Sequence, residues 1–271
     1  MSERGRVTAL EHFQPAGAPL WRMLLAQTKM ELRLTLRRGE SVLVTLVVPG
    51  ALLAFFATLP LGIDALRLGA SSGTAAGLAQ VLLPGILALS VMSTAMVSLG
   101  IATAFERQYG VLKRLGGTPL PRPALLGAKI ASVLVIEALQ VLEVLAIALA
   151  LGWRPQGHLP LAAAAIILGT AAFGGIGLWM AGAWRAEAAL AGANGLYLLL
   201  LLFGGLVVPV EALPPGLAAI TGWLPSAALA GVLRAALLPE PARPPLMPPL
   251  GILLLWAVAM PALAARSFRW E

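Results

Sequence analysis

The chain has 271 residues, of which 59% are hydrophobic and only 11% are charged, and its mean hydropathy is +0.89. Soluble domains carry about 25% charged residues, so this composition excludes an ordinary soluble enzyme and predicts an all-α polytopic membrane protein. The net charge of +7 requires no nucleic-acid partner, because loops that face anionic membrane lipids carry the same excess, and the absence of cysteine excludes disulfides and thiolate metal sites.

The N-terminal segment divides into a tail and an amphipathic helix. Residues 1–18 are polar and proline-interrupted, which predicts a cytoplasmic tail. Residues 20–38 place leucines on one stripe and Lys29, Arg33 and Arg37 on the adjacent stripe of a helix. We expect this helix to lie in the membrane interface, with its basic side among the lipid headgroups.

Charge-free apolar runs of about 20 residues, enough to cross roughly 30 Å of hydrocarbon, predict six spans. They lie at 41–60, 79–104, 124–151, 160–183, 188–210 and 247–265. Pro49, Pro84 and Pro261 fall inside spans, where neighbouring helices must supply partners for the carbonyls that each proline frees. Glycines in the fourth and fifth spans predict close helix packing, namely Gly169, Gly174, Gly175, Gly177, Gly192, Gly195, Gly204 and Gly205.

A polar island at residues 105–129 separates the second and third predicted spans. Its residues 105–115 are expected to form a short helix that Gly116 stops, and the prolines that follow cannot continue it. The island carries five basic residues and one acidic residue: Glu106, Arg107, Lys113, Arg114, Arg122 and Lys129. The positive-inside tendency places such a segment on the cytoplasmic side. An ordinary solvated loop is the alternative interpretation.

The distribution of charge also predicts the topology. If both termini are cytoplasmic, only Arg67, Arg154, Arg234 and Arg243 of the 19 basic residues lie outside. This bias favours six spans in one domain. Its parts are a cytoplasmic tail and interfacial helix at 1–40, the spans at 41–265 and a cytoplasmic tail at 266–271.

Residues 212–233 contain no charged residue, so hydropathy alone would allow a seventh span. Pro214, Pro215, Gly222 and Pro225 argue against one continuous helix, and a seventh span would place the C-terminal arginines outside. We therefore predict a pair of short helices that dip into the outer leaflet. Backbone of that kind survives at membrane depth only when it packs on protein or lines a cavity.

Two separated stretches carry a resemblance to one known family. The first stretch includes Glu106, Arg107, Gly110, Lys113, Arg114, Thr118 and Pro119. It resembles the cytoplasmic coupling loop of the type-2 permeases of ATP-binding-cassette exporters. The second stretch includes Pro209, Leu213, Pro214, Pro225 and Arg234. It resembles the re-entrant outer hairpin between the fifth and sixth spans of that family.

The resemblance implies a membrane-spanning permease that is not itself an enzyme. Its coupling helix would sit in a cleft of a separate ATP-binding-cassette ATPase subunit, and a second permease copy, identical or closely related, would complete the path. ATP and Mg would be bound by the partner subunit, with no cofactor on this chain. This implication fits the absence of a GxxxxGK[ST] phosphate-binding loop. The expected location is a bacterial or archaeal cell (inner) membrane, and the substrate stays open among lipids, drugs, glycolipids and polyketides.

Three polar residues lie inside the third predicted span. Glu137, Gln140 and Glu143 fall on one side of a helix, and an ionised carboxylate near the bilayer centre is a functional candidate because it is costly. The alternative roles are a protonated or hydrogen-bonded structural acid, or proton coupling in a secondary transporter that needs no ATPase. No internal repeat of the kind expected in secondary transporters is found. His12 and His158 lack metal-ligand spacing, so no metal site is predicted.

Overall fold

The computed structural model describes residues 19–37, 39–59, 74–117, 121–206, 210, 213–239 and 244–269. Every regular element in these ranges is helical, in agreement with the all-α prediction. In chain order the helices are α1 (Leu20–Arg37), α2 (Gly39–Thr58), α3 (Ala75–Val91), π1 (Met92–Ser98), α4 (Leu99–Gln108), α5 (Val111–Leu115), α6 (Arg122–Ala150), α7 (Leu159–Ala183), α8 (Ala186–Phe203), α9 (Pro215–Thr221), α10 (Pro225–Leu237) and α11 (Met247–Ser267).

Five helices in the described ranges are long and apolar enough to cross a membrane. They are Ala75–Gln108, Ala124–Ala150, Leu159–Ala183, Ala186–Phe203 and Met247–Ser267. The predicted first span corresponds to α2, which runs from Gly39 to Thr58. Helices α9 and α10 form a pair bent by 92°. The prediction of a multi-pass membrane protein is therefore confirmed, and a straight seventh span is absent from the described part of segment 211–246.

The helix that runs from Ala75 to Gln108 is 34 residues long and extends past both ends of the predicted span 79–104. At 1.5 Å per residue it measures roughly 50 Å, well beyond about 30 Å of hydrocarbon. Its last turn therefore contains part of the polar island. The expected single helix at 105–115 is divided, because Gly110 adopts a left-handed φ of 70° and α5 begins afresh at Val111.

The centre of the bundle is α7, a helix whose glycines allow neighbouring backbones to approach. A Cβ added at Gly175 would lie 2.5 Å from the backbone nitrogen of Pro261 in α11. One added at Gly177 would lie 2.6 Å from the Met96 carbonyl oxygen in π1. Gly195 of α8 differs, because its added Cβ would meet nothing within 4 Å. The packing role predicted for the glycines is thus confirmed in α7, whereas Gly195 faces open space.

Helix α8 ends at Phe203 and not at residue 210, where the sequence predicts the end of the fifth span. The chain turns there because Gly205 has a φ of 68°. The bent pair of helices α9 and α10 stabilises this turn. The Thr221 hydroxyl of α9 donates to the Phe203 carbonyl over 2.9 Å. Arg234 of α10 donates to the carbonyls of Gly205 and Leu206, each over 2.8 Å.

The helices bring two groups of polar contacts to opposite ends of the bundle. The basic end, as we call it, contains α1, the end of α4, α5, the start of α6 and the ends of α7 and α11. The hairpin end contains α9, α10 and the starts of α3 and α7. There the Gln80 side chain donates to the Leu237 carbonyl, and the His158 backbone N–H donates to the Ala236 carbonyl, each over 2.7 Å.

Candidate functional site

A buried lysine connects three helices at the basic end. The Lys129 side chain is only 1% exposed, and its Nζ lies 2.9 Å from Glu31 Oε2 in α1 and 2.5 Å from Glu106 Oε2 in α4. Gln27 donates to the other carboxylate oxygen of Glu31 over 2.8 Å. Two acidic partners for one ammonium group offset the high cost of burying it. This cluster of Glu31, Glu106 and Lys129, the Lys129 triad, therefore fixes α1 against the start of α6.

The sequence analysis missed the partners in this triad, although one signal was available. Glu31 is the sole acidic residue among the basic residues of α1. An isolated acid that is buried on an otherwise basic helix calls for a cationic partner elsewhere in the chain. Lys129 had been counted only as one more positive charge of the polar island.

Arg107 binds the end of another helix. Its guanidinium donates to the carbonyls of Gly182 and Trp184, at the point where α7 ends and the chain turns into α8. Carbonyls at a helix C-terminus have no partner within their own helix. Next to it, the Gln108 side chain donates to Glu187 of α8 over 2.9 Å. Both Glu106 and Arg107 are thus engaged within the chain, where they hold the end of the long helix in place.

Several other residues of the predicted coupling segment are exposed. Leu112 is 0% exposed and fixes α5 to the bundle, whereas Tyr109 is 71% and Val111 38% exposed. Lys113 and Arg114 are exposed as well. We call Tyr109, Val111, Lys113 and Arg114 the α5 surface. Thr118 and Pro119, which the resemblance also assigns to coupling, lie outside the described residues.

Glu137 lies inside the bundle between α6 and α7. It is 1% exposed and accepts a hydrogen bond from the Thr170 hydroxyl. That hydroxyl also lies 2.8 Å from the Ile166 carbonyl of its own helix. Oε1 of Glu137 has no partner among the described residues. The carboxyl therefore sits at a helix interface inside one chain, which supports the structural interpretation.

Gln140 supplies the hydrogen-bond donor that a proline lacks in another helix. In α2 the Thr45 carbonyl would normally accept from the N–H of residue 49, but Pro49 has none. The Gln140 amide donates to this carbonyl over 2.8 Å. The other end of the amide accepts from Thr94 of π1 over 3.1 Å. Gln140 is 0% exposed, and it joins α2, π1 and α6 through groups that would otherwise be unsatisfied.

Glu143 faces the same proline-containing helix one turn further along. A Cβ added at Gly50 would come 2.9 Å from Glu143 Oε1, so the glycine makes room for the carboxylate. Oε2 of Glu143 has no partner in the described part of the chain. The predicted polar face of α6 is therefore shared between two neighbours, with Glu137 toward α7 and both Gln140 and Glu143 toward α2.

The hairpin residues singled out from the sequence have distinct positions. Pro214 precedes the first turn of α9, and Pro225 begins α10, where a missing N–H costs no hydrogen bond. The Leu213 N–H donates to the Val210 carbonyl over 3.1 Å. Arg234 is 9% exposed and holds the turn after α8. Pro209 lies outside the described residues.

No group of three or more His, Asp or Glu side chains in the described ranges could hold a metal ion.

We expect substitutions at Glu137 to have a modest effect on transport and on stability. Glu137→Gln keeps an acceptor for Thr170, so transport activity should persist. Glu137→Leu removes an acceptor of the Thr170 hydroxyl and should lower the free energy of unfolding by about 1 kcal/mol. This is the lower part of the range for a buried group that loses a hydrogen-bond partner, because the Thr170 hydroxyl can still donate to the Ile166 carbonyl.

Transport assays in reconstituted vesicles and thermal unfolding would measure both Glu137 variants. Transport driven by a pH gradient without ATP, and abolished by Glu137→Gln, would instead indicate a proton-coupled secondary transporter.

Comparison with known proteins agrees with these features. Residues 23–238 match the family described as ABC-2 type transporter. The chain is also 29% identical over 145 residues to the protein named "Putative transport permease YvfS" from Bacillus subtilis (strain 168). That alignment covers 51% of this chain and 57% of the relative, so the chain spans little more than half of the relative's length. The family match extends from α1 to the end of α10 and so includes the Lys129 triad, the polar island and the hairpin. With five membrane-length helices in its described ranges and this match over most of its length, the chain belongs to the ABC-2 type transporter family.

Proposed function

We propose that this chain is the membrane-spanning permease subunit of an ATP-driven exporter. A separate ATP-binding-cassette ATPase subunit binds ATP and Mg, and the permease couples to it through the loop at 105–123. The observation that carries the proposal is the α5 surface. It is a short, basic, exposed helix turn that buried Leu112 anchors to the bundle. Next to this surface, the Lys129 triad and Arg107 connect the end of α4 to α1, α6 and α7. A displacement of the α5 surface would therefore be transmitted directly to these four helices.

The charge bias of the loops supports an orientation in the membrane. Because basic residues favour the cytoplasmic side, we place the basic end, and with it both termini, in the cytoplasm. The hairpin then lies toward the outer face as a re-entrant element. Its α9 exposes Leu217 (45%) and Ile220 (68%), and Trp223 after it is 64% exposed. Such exposed apolar groups suit a location in the outer leaflet.

A groove that contains several polar side chains supports a path between two permease copies. It has a volume of about 220 Å³ and lies between α2, the α3–π1 helix and α8. Its polar lining consists of Thr45, Ser90, Ser93, Ser98, Asn194 and Tyr197. Asn194 is exposed, and among the described residues its amide donates to the Leu190 carbonyl one turn earlier. Polar side chains that face lipid are costly, so we assign this groove to a path that a second copy closes.

Native mass spectrometry of the complex purified from its own host tests the proposal. The expected species contains two permease chains, identical or closely related, and two ATPase subunits, because one α5 surface engages one ATPase of a cooperating pair. A fully active complex with one permease chain, or with no ATPase subunit, would contradict it.

Charge reversal of the α5 surface should uncouple the two subunits. In the double variant Lys113→Glu/Arg114→Glu we expect substrate-stimulated ATPase activity to fall at least tenfold, since like charges across an interface cost several kcal/mol. Both side chains are exposed, so membrane insertion and thermal stability should stay within about 0.5 kcal/mol of the parent.

A matched control is the double variant Arg185→Glu/Arg266→Glu. It changes the same charge on exposed residues of the basic end but leaves the α5 surface intact, and it should retain stimulation. Unchanged stimulation in the α5 variant, or an equal loss in both variants, would reject the docking role.

A further inference from the structure

A cavity lies beneath the Lys129 triad, between α1, α2, the long α3–π1–α4 helix and α6. It has a volume of about 390 Å³ and is partly open. This volume falls within the usual range of about 300–1,000 Å³ for small-molecule sites. Apolar walls come from side chains such as Leu34, Ile101 and Phe105, and the polar lining includes Thr103 and all three residues of the triad.

The charges that line the cavity do not balance. Among the described side chains of the lining, Glu31 and Glu106 are acidic and Lys129 alone is basic. Both carboxylates bind the same ammonium group, so these described side chains leave one negative charge of the lining without a counterion. The cavity favours a cationic group and disfavours an anionic one.

A second observation also points to an absent hydrogen-bonding group. The Thr103 side chain is 0% exposed, lines the cavity, and its hydroxyl has no partner among the described residues. Two other hydroxyls of the lining have partners: Thr94 donates to Gln140, and Ser132 donates to the Lys129 carbonyl. Buried hydroxyls in native proteins nearly always have a partner. A donor on a bound ligand would satisfy this one.

We propose that this cavity binds an amphiphile with a primary ammonium headgroup. The headgroup lies between Glu106 and Thr103, where it supplies the missing positive charge and a hydrogen bond to the hydroxyl. The apolar body packs against the Ile101 and Phe105 side of the cavity. The site lies inside a single chain and does not depend on whether ATP drives transport. It is distinct from the groove between α2 and α8.

Equilibrium binding to the full chain in nanodiscs of phosphatidylcholine tests the site, with radiolabelled dodecylammonium as the probe and empty nanodiscs as background. We expect saturable binding of one probe per chain, and no saturable binding of dodecyl sulfate. Glu106→Gln should weaken binding at least tenfold, because it removes the excess negative charge. Thr103→Val keeps the side-chain shape and should weaken binding up to about tenfold, the effect of one hydrogen bond.

Glu187→Gln is the matched control. It removes a carboxylate at the same end of the bundle, hydrogen-bonded to Gln108, but outside the cavity, and it should bind the probe like the parent. The proposal is overturned if dodecylammonium shows no saturable binding, if dodecyl sulfate binds equally well, or if both cavity variants bind like the parent. Because Thr103→Val keeps all charges of the triad, it remains informative if Glu106→Gln fails to fold.

A second arm separates the two sources of such a headgroup. Nanodiscs that contain phosphatidylethanolamine are compared with those of phosphatidylcholine alone. Competition by the ethanolamine lipid for the probe assigns the site to a membrane aminolipid. Undiminished probe binding assigns it to a free cationic amphiphile. Either result supports an ammonium site, and both are independent of the ATPase partner.

Discussion

Replacing Lys129 with Met will destabilise the permease by about 3 kcal/mol. Removing one partner of a buried ion pair typically costs about 3–5 kcal/mol, because the other charges stay buried without compensation. The lower end applies here because the Glu31 and Glu106 side chains keep 10% and 16% exposure. Thermal unfolding in a fixed detergent or nanodisc would measure the loss.

A triple variant separates the missing charge from the missing packing. Lys129→Met combined with Glu31→Gln and Glu106→Gln leaves no uncompensated carboxylate, and it should recover most of the lost stability, since neutral replacement of a whole buried cluster is well tolerated. Lys113→Met is the matched single control on the exposed α5 surface and should change stability by less than about 0.5 kcal/mol. Equal unfolding of Lys129→Met and the parent would show that the triad does not stabilise the fold.

The second large effect is expected where α7 meets α11. Gly175→Ala places a methyl group 2.5 Å from Pro261 N and 2.7 Å from the carbonyl carbon of Met260. Both contacts are to backbone, so no side-chain rotation relieves them and the two helices must separate. We expect a loss of about 1–3 kcal/mol, the usual cost of overpacking.

Gly251→Ala, in the same pair of helices, is expected to change stability in the opposite direction. Gly251 lies in α11, and a Cβ added there meets nothing within 4 Å. Without a clash, alanine should stabilise a helix interior by about 0.5–1 kcal/mol relative to glycine. The two substitutions are chemically identical, so unfolding experiments should give shifts of opposite sign. A stabilised Gly175→Ala variant would contradict the close backbone approach.

Local patterns predicted most of the architecture, because hydropathy and backbone restrictions act over a few residues. Charge-free runs located α6, α7 and α11 to within a few residues of the structure. Prolines and glycines predicted that residues 211–246 would not form one straight helix. Both signals arise from short stretches of chain, where the cost of an exposed peptide group or a missing N–H does not depend on distant partners.

The same local signals failed where distant groups determine the conformation. Apolar residues continue past Phe203, so hydropathy extended the fifth span to 210. In the structure the chain turns at Gly205, and Arg234, some 29 residues along the chain, binds the carbonyls of that turn. Likewise, the composition of 105–115 does not show that its first residues continue the long helix.

For the candidate site, the sequence alone determined which residues are unusual: buried acids in an apolar helix, a basic exposed loop, and a proline that frees a carbonyl. Only the tertiary structure decided their partners. Glu31 and Lys129 are 98 residues apart, and Gln140 lies 95 residues from the Thr45 carbonyl that it satisfies. Helical periodicity predicts the face on which a side chain lies but not the helix opposite it. That choice depends on how α1, α2 and α6 pack together, because a buried charge or an open carbonyl is stabilised by whichever complementary group the packing brings within hydrogen-bonding distance.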